Sequence, residues 1–143
     1  MFACLIWNFN LFISSLDKTS GILLRGAIDN ILMKGKKLVV LDYKTRGYPL
    51  KEDTHEHYRA QMDMYNFLLR QNGYDTEDYT YLLFYYPKEI TEKGEIIFEN
   101  QLIKMNTDAK KGKKYFDDAI TLLHGECPIK SCEWCERVEA EQR

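Results

Sequence analysis

The pattern of hydrophobic and polar positions along the chain switches between runs, alternation and helical spacing, and each switch marks an element. Leu38 to Leu41 is an uninterrupted apolar run that predicts a buried strand, and polarity returns directly after it at Asp42-Tyr43-Lys44-Thr45. An earlier apolar stretch, Gly21 to Met33, carries one carboxylate, Asp29, in its interior. Between the two lies Lys34-Gly35-Lys36-Lys37, a short glycine-bearing turn, so the runs are expected to pair as an antiparallel hairpin. Asp53 or Thr54 is placed to cap a helix reaching about Gln71, in which Tyr58, Met62, Tyr65, Leu68 and Leu69 recur at spacings of three and four. Asn72-Gly73 closes it. Tyr79 to Tyr86 reads as an aromatic strand ended by Pro87, and a turn around Gly94 leads to a strand over Glu95 to Met105. A last helix is expected from about Asp108 to His124, with Tyr115, Phe116, Ala119, Ile120 and Leu123 on one side.

The first 16 residues are apolar, yet they lack a basic start and a small-residue cleavage site, and Asn8 and Asn10 interrupt the run. They are also too short to span a bilayer. An N-terminal strand entering through Asn8-Phe9-Asn10-Leu11 is the better reading, joined by a turn at Asp17–Gly21 to the next strand. The expectation is a cytoplasmic α/β protein with no membrane partner. A single domain spans 1–143, and a cysteine-bearing tail occupies about 125–143.

Composition adds little. Hydrophobic residues at 45% and charged residues at 29% are ordinary for a soluble globular chain. A net charge of −2 argues against general coating of a polyanion. It leaves room for a site built on carboxylates with local basic patches, and Lys34, Lys36, Lys37, Arg46 and Lys51 cluster around the hairpin. The run Lys110-Lys111-x-Lys113-Lys114 reads as a solvated helix face.

The candidate chemistry lies on the hairpin. Asp29 precedes Gly35 by six residues and Asp42 follows it by seven, so the two fall near each other across the ladder. Asp42 and Lys44, two apart on a strand, point to one face, and Tyr43 points to the other. Two carboxylates held together repel unless a cation neutralises them, and hard oxygen ligands suit Mg²⁺ or Mn²⁺. Lys44 beside such an ion could orient water or balance phosphate charge. The plain alternative is a surface ion pair of little consequence. Gln61 and Tyr65, four apart, share one helix face.

Gly26-x-x-Asp29, Asp42-x-Lys44 and Gln61-x-x-x-Tyr65, in that order and with a hairpin between the first two, resemble the PD-(D/E)XK nuclease superfamily, and within it the RecB-type branch. The resemblance implies a restriction-endonuclease-like fold, a mixed central sheet of four or five strands flanked by helices. It implies a Mg²⁺- or Mn²⁺-dependent deoxyribonuclease of DNA repair, recombination or defence, with DNA as substrate and a helicase or other recombination protein as partner. It gives Asp29, Asp42 and the Tyr43 carbonyl to the metal, and Lys44, Gln61 and Tyr65 to the catalytic surroundings. Arg46 and His57 become the nucleic-acid contacts. One departure is that relatives carry a metal-binding glutamate on a helix before the first strand, whereas here no acid precedes Asp17. A rival reading follows, a nucleic-acid-binding or assembly module with the same fold and an incomplete site.

Four cysteines remain: Cys4, Cys127, Cys132 and Cys135. Clustered thiols in an intracellular chain point to metal before disulfides. Relatives bind a 4Fe-4S cluster through one upstream and three C-terminal cysteines, an arrangement matched here in number and order but not in spacing. An iron–sulphur cluster, a zinc site and unliganded thiols all stay open.

Overall fold

The computed structural model describes residues 11–126 and 132–141. Strands β1 (Leu11–Leu16) and β2 (Leu23–Ile28) form an antiparallel two-stranded sheet. Strands β3 (Asn30–Lys34), β4 (Lys37–Thr45), β5 (Tyr79–Ile90) and β6 (Ile96–Asn106) form a four-stranded sheet in that spatial order. The β3–β4 and β5–β6 pairs are antiparallel and the β4–β5 pair is parallel, so the sheet is mixed. A parallel pair needs a crossover. It is supplied by a 3₁₀ turn over Thr54–Tyr58 and helix α1 (Arg59–Gln71). Helices α2 (Ala109–His124) and α3 (Glu133–Glu141) follow β6. This is the expected mixed α/β, restriction-endonuclease-like architecture.

The core forms where α1 meets the sheet. Met62, Tyr65, Leu68 and Leu69 pack with Val40, Leu82, Phe84 and Met105, and Ile13 and Ile28 bring the small sheet against the same helix. Helix α2 crosses α1 at Gly112, where an added Cβ would sit 2.6 Å from the Asp63 carbonyl carbon and 2.9 Å from Phe67 Cβ. Only glycine permits that approach. The Asp108 side chain caps α2 by accepting from the Lys110 N–H at 2.9 Å. Among the described residues no helix is long and apolar enough to cross a membrane.

Four expectations are corrected. The stretch Gly21–Met33 is not one strand: it breaks at Asp29, with β2 pairing β1 and β3 pairing β4. The α-helix proper starts at Arg59 rather than Asp53 or Thr54, and Thr54 instead closes a turn by accepting from the Lys51 N–H at 2.9 Å. Pro87 does not end β5, which continues through a bulge to Ile90. Along β5 the odd-numbered residues face β4, as the Tyr85 carbonyl shows by accepting from Arg46 N–H. The missing N–H of Pro87 therefore points to an edge that β4 has already left, where no ladder bond is lost. On α2, Phe116 is buried, but Tyr115, Ala119 and Leu123 are exposed.

Candidate active site

Site geometry starts with the ladder. The β3–β4 register ends at Asn30 opposite Leu41, which leaves Asp29 and Asp42 facing each other at its open end. The Asp29 side chain continues the ladder, its Oδ2 accepting from Tyr43 N–H at 3.0 Å. An extended residue projects its N–H and C=O toward the same edge. The Tyr43 carbonyl therefore faces the Asp29 side.

Asp42 is 1% exposed, deep under α1. Lys44 lies beside it on the same face, its Nζ 2.5 Å from Asp42 Oδ2. At that distance the ammonium is both counter-charge and donor to the buried carboxylate. Burial pushes the Asp42 carboxyl above its ordinary range, Lys44 pulls it back, and the charge of Asp29 adds to the rise.

Helix α1 holds the amine from above. Lys44 Nζ donates to Gln61 Oε1 at 3.1 Å and stands 4.7 Å from the centroid of the Tyr58 ring. Gln61 Nε2 donates to the Tyr65 hydroxyl at 2.9 Å, and that hydroxyl donates to the Ala27 carbonyl at 2.7 Å. Burial raises the Tyr65 phenol above its ordinary value, so it stays protonated as this bond requires. A continuous relay thus runs from Asp42 through Lys44, Gln61 and Tyr65 to the backbone of β2.

The fit to a divalent cation can be judged from the donors. Asp42 is a buried carboxylate, a second carboxylate stands opposite, and a main-chain carbonyl faces the same edge. All are hard oxygens, which suit Mg²⁺ or Mn²⁺ better than softer ions. No cluster of three or more His, Cys, Asp or Glu side chains converges among the described residues. An ion here would keep several waters, as Mg²⁺ commonly does.

The structure thus brings together Asp29, Asp42, Tyr43, Lys44, Gln61 and Tyr65. Arg46 lies just beyond, its guanidinium 4.6 Å from the Tyr48 ring centroid, and His57 is exposed on the 3₁₀ turn. Two site residues were not foreseen. Tyr58 had the spacing of a core residue, yet its ring lies against the amine. Ala27 acts through its carbonyl, which no side-chain pattern reports. Cys132 and Cys135 place their sulphurs 3.6 Å apart at the start of α3. The Cys132 thiol is lowered by hydrogen bonds from the Cys135 backbone and side chain. Cys4 and Cys127 fall outside the described residues.

The family described as the PD-(D/E)XK nuclease superfamily matches residues 4–139. Among solved structures, the crystal structure of SSO0001 is similar, with a TM-score of 0.51 at 15% identity, covering 82% of this chain and 50% of that one. That likeness concerns the fold, and the chain spans half the length of that structure. No curated protein matches the chain.

Proposed function

This chain belongs to the PD-(D/E)XK nuclease superfamily, and from that premise we propose that it is a metal-dependent deoxyribonuclease of the RecB type, hydrolysing phosphodiester bonds with Mg²⁺ or Mn²⁺. The observation that carries the reading is the buried Asp42 carboxylate, set opposite Asp29 and beside Lys44. A structural ion pair needs one acid; here a second carboxylate, Asp29, stands close enough to push the Asp42 carboxyl upward. The RecB-type assignment is supported by the Gln61-x-x-x-Tyr65 face and its grip on Lys44.

Asp29, Asp42 and the Tyr43 carbonyl are the residues that would hold the ion. When bound, the ion polarises the phosphate and lowers the pKa of a coordinated water. The rest is done by the chain. Lys44 has three N–H donors, of which Gln61 and the Asp42 carboxylate each take one. The third can meet an incoming water or the charge developing on the phosphate oxygens. Gln61 keeps the ammonium from swinging to solvent, and Tyr65, anchored on Ala27, keeps Gln61 in its orientation. The test is to incubate the purified chain with single- and double-stranded DNA in Mg²⁺, Mn²⁺ or EDTA. Metal-dependent cleavage that Asp42→Asn abolishes is expected. Cleavage that persists in EDTA would sink the reading, and metal-insensitive DNA binding without cleavage would favour the binding-module alternative.

A further inference from the structure

Strand β6 is the outermost strand of the four-stranded sheet, and among the described residues no strand pairs with its far edge. It runs for 11 residues, and 96–102 are exposed throughout. Its ladder bonds to β5 fall on odd-numbered residues. Thr107, just past the strand, donates its N–H to the Asp78 carbonyl at 3.0 Å, and the pairing alternates from there. The even-numbered residues Ile96, Phe98, Asn100, Leu102 and Lys104 therefore turn their N–H and C=O groups to the free edge. A long apolar edge invites pairing unless proline, a bulge or a charge blunts it. No proline interrupts β6, and the bulge beside Pro87 lies on β5. The single cation of the strand, Lys104, is drawn back toward β5, its ammonium 3.9 Å from the Tyr79 ring centroid.

The strand is also its own complement. Counting outward from Asn100, Glu99 answers Gln101, Phe98 answers Leu102 and Ile97 answers Ile103. We propose that β6 pairs antiparallel with β6 of a second copy about a two-fold axis at Asn100, joining the two four-stranded sheets edge to edge. A two-fold contact puts one surface patch against itself, so it needs such self-matching. In this register the free groups meet as hydrogen-bonded pairs: Asn100 opposite Asn100, Phe98 opposite Leu102, Ile96 opposite Lys104. Each pair exchanges two bonds, so the span 96–104 gives about ten, the number common in stable interfaces. Phe98 and Leu102, 51% and 56% exposed, cover each other on the face away from α1. Ile97, 42% exposed, meets Ile103 on the face toward α1. Other registers lose this match. A slip of two residues sets Glu99 against Glu99 in one direction and against Ile103 in the other. A slip of one sets the free groups against residues already bonded to β5. The pairing leaves the Asp42 site open, because β4 lies two strands in from β6, and it does not depend on the chemistry there.

Sedimentation velocity over a concentration series should show a species of twice the 17.0 kDa of one chain that dissociates on dilution. Asn100→Pro removes an outward N–H and no bond to β5, so it should fold with an unchanged far-ultraviolet spectrum and stay monomeric at every concentration. Asn100→Cys should bridge the two positions 100 on mild oxidation, as mapped by peptide mass spectrometry, because Cα atoms of a hydrogen-bonded pair stand about 5.5 Å apart. Phe98→Cys should not bridge to itself, since the two positions 98 lie four residues, about 14 Å, apart along the strands. A wild type that is monomeric throughout, or a folded Asn100→Pro that still dimerises, would overturn the inference. If Asn100→Pro does not fold, the bridges decide: none between the two positions 100, or one between the two positions 98, overturns it equally.

Discussion

Replacing Asp42 with asparagine tests the metal site through stability as well as activity. Asparagine keeps the shape of the buried side chain and removes its charge. Without metal, two effects oppose one another. The folded chain no longer holds a carboxylate that burial disfavours, but the Lys44 ammonium, whose side chain is only 16% exposed, loses its counter-charge. Each is on the order of a few kcal/mol, so the melt of each protein in EDTA is the baseline against which its own Mn²⁺ response is read.

Metal separates them. An ion that binds only the folded chain at 100 times its Kd adds about 2.7 kcal/mol. For a chain of this size that is a rise of about 10 °C. Asp42 is one of two carboxylates at the site, and its loss should weaken binding about 100-fold or more. The same Mn²⁺ concentration then adds only about 0.4 kcal/mol, or 1–2 °C. The assay is a thermal melt of both proteins in EDTA and across a Mn²⁺ titration. An Asp42→Asn protein that gains as much from Mn²⁺ as the wild type would show that the ion binds elsewhere, whatever cleavage does.

Lys44→Ala should lower single-turnover cleavage by about 100-fold with little loss of DNA affinity, because the ammonium acts mainly on charge that develops in the transition state; unchanged single-turnover rates would remove Lys44 from the mechanism. Asp63→Asn addresses pH. Asp63 is buried against the start of α2, accepts from Asp108 N–H at 2.8 Å, and burial raises its carboxyl above the ordinary 3.8. The folded chain therefore binds more protons than the unfolded one between that value and its raised pKa, and wild-type stability falls as pH rises through this window. The stability of Asp63→Asn minus that of wild type should thus rise from about pH 4 to pH 7 in melts at each pH, and a difference that falls over that range would contradict the argument. Gly112→Ala gains about 1 kcal/mol of helix propensity but pushes a methyl group against the Asp63 backbone. Overpacking against main chain is expected to cost about 3 kcal/mol, a net drop in melting temperature of several degrees, and an unchanged melt would show that α2 can shift freely.

The hairpin was legible because one glycine and two apolar runs specify it locally, and Gly35 indeed takes a left-handed φ of 61°. Asp29 opposite Asp42 followed from counting out from that turn. Gln61 and Tyr65 on one face followed from helix geometry. Tertiary pairing was not legible. In Gly21–Met33 the polar pair Asp29-Asn30 interrupts the apolar run where the partner changes, but a polar interruption alone does not say that the first half pairs β1 and the second half β4. The start of α1 was misplaced because Asp53 and Thr54 carry a capping signal that is used by a tight turn instead. Pro87 misled because a proline rule based on lost hydrogen bonds has no force where the neighbouring strand has ended. Leu123 misled because helical periodicity reports amphipathicity, not whether a surface lies opposite.

The break at Asp29 is also what makes the site. A straight strand would carry Asp29 along the β3–β4 ladder as one more paired residue. Changing partners there frees its carboxylate to reach Tyr43 N–H at the end of the ladder and to face Asp42. The same break directs β2 under α1, where Gly26 is in close contact with the helix: an added Cβ would sit 3.0 Å from both Leu68 Cδ1 and Tyr65 Cε1. That closeness brings the Tyr65 hydroxyl to the Ala27 carbonyl. From there the relay passes through Gln61 to Lys44 and on to Asp42. The spacing Gly26-x-x-Asp29 therefore joins two functions in four residues. Glycine sets how near the helix lies, and so where the amine is held; aspartate at the bend sets where the second carboxylate stands. A side chain at position 26 would press on Leu68 and Tyr65 and so disturb the anchor of the relay, whereas loss of the Asp29 carboxylate would leave Asp42 and Lys44 paired without a second acid opposite.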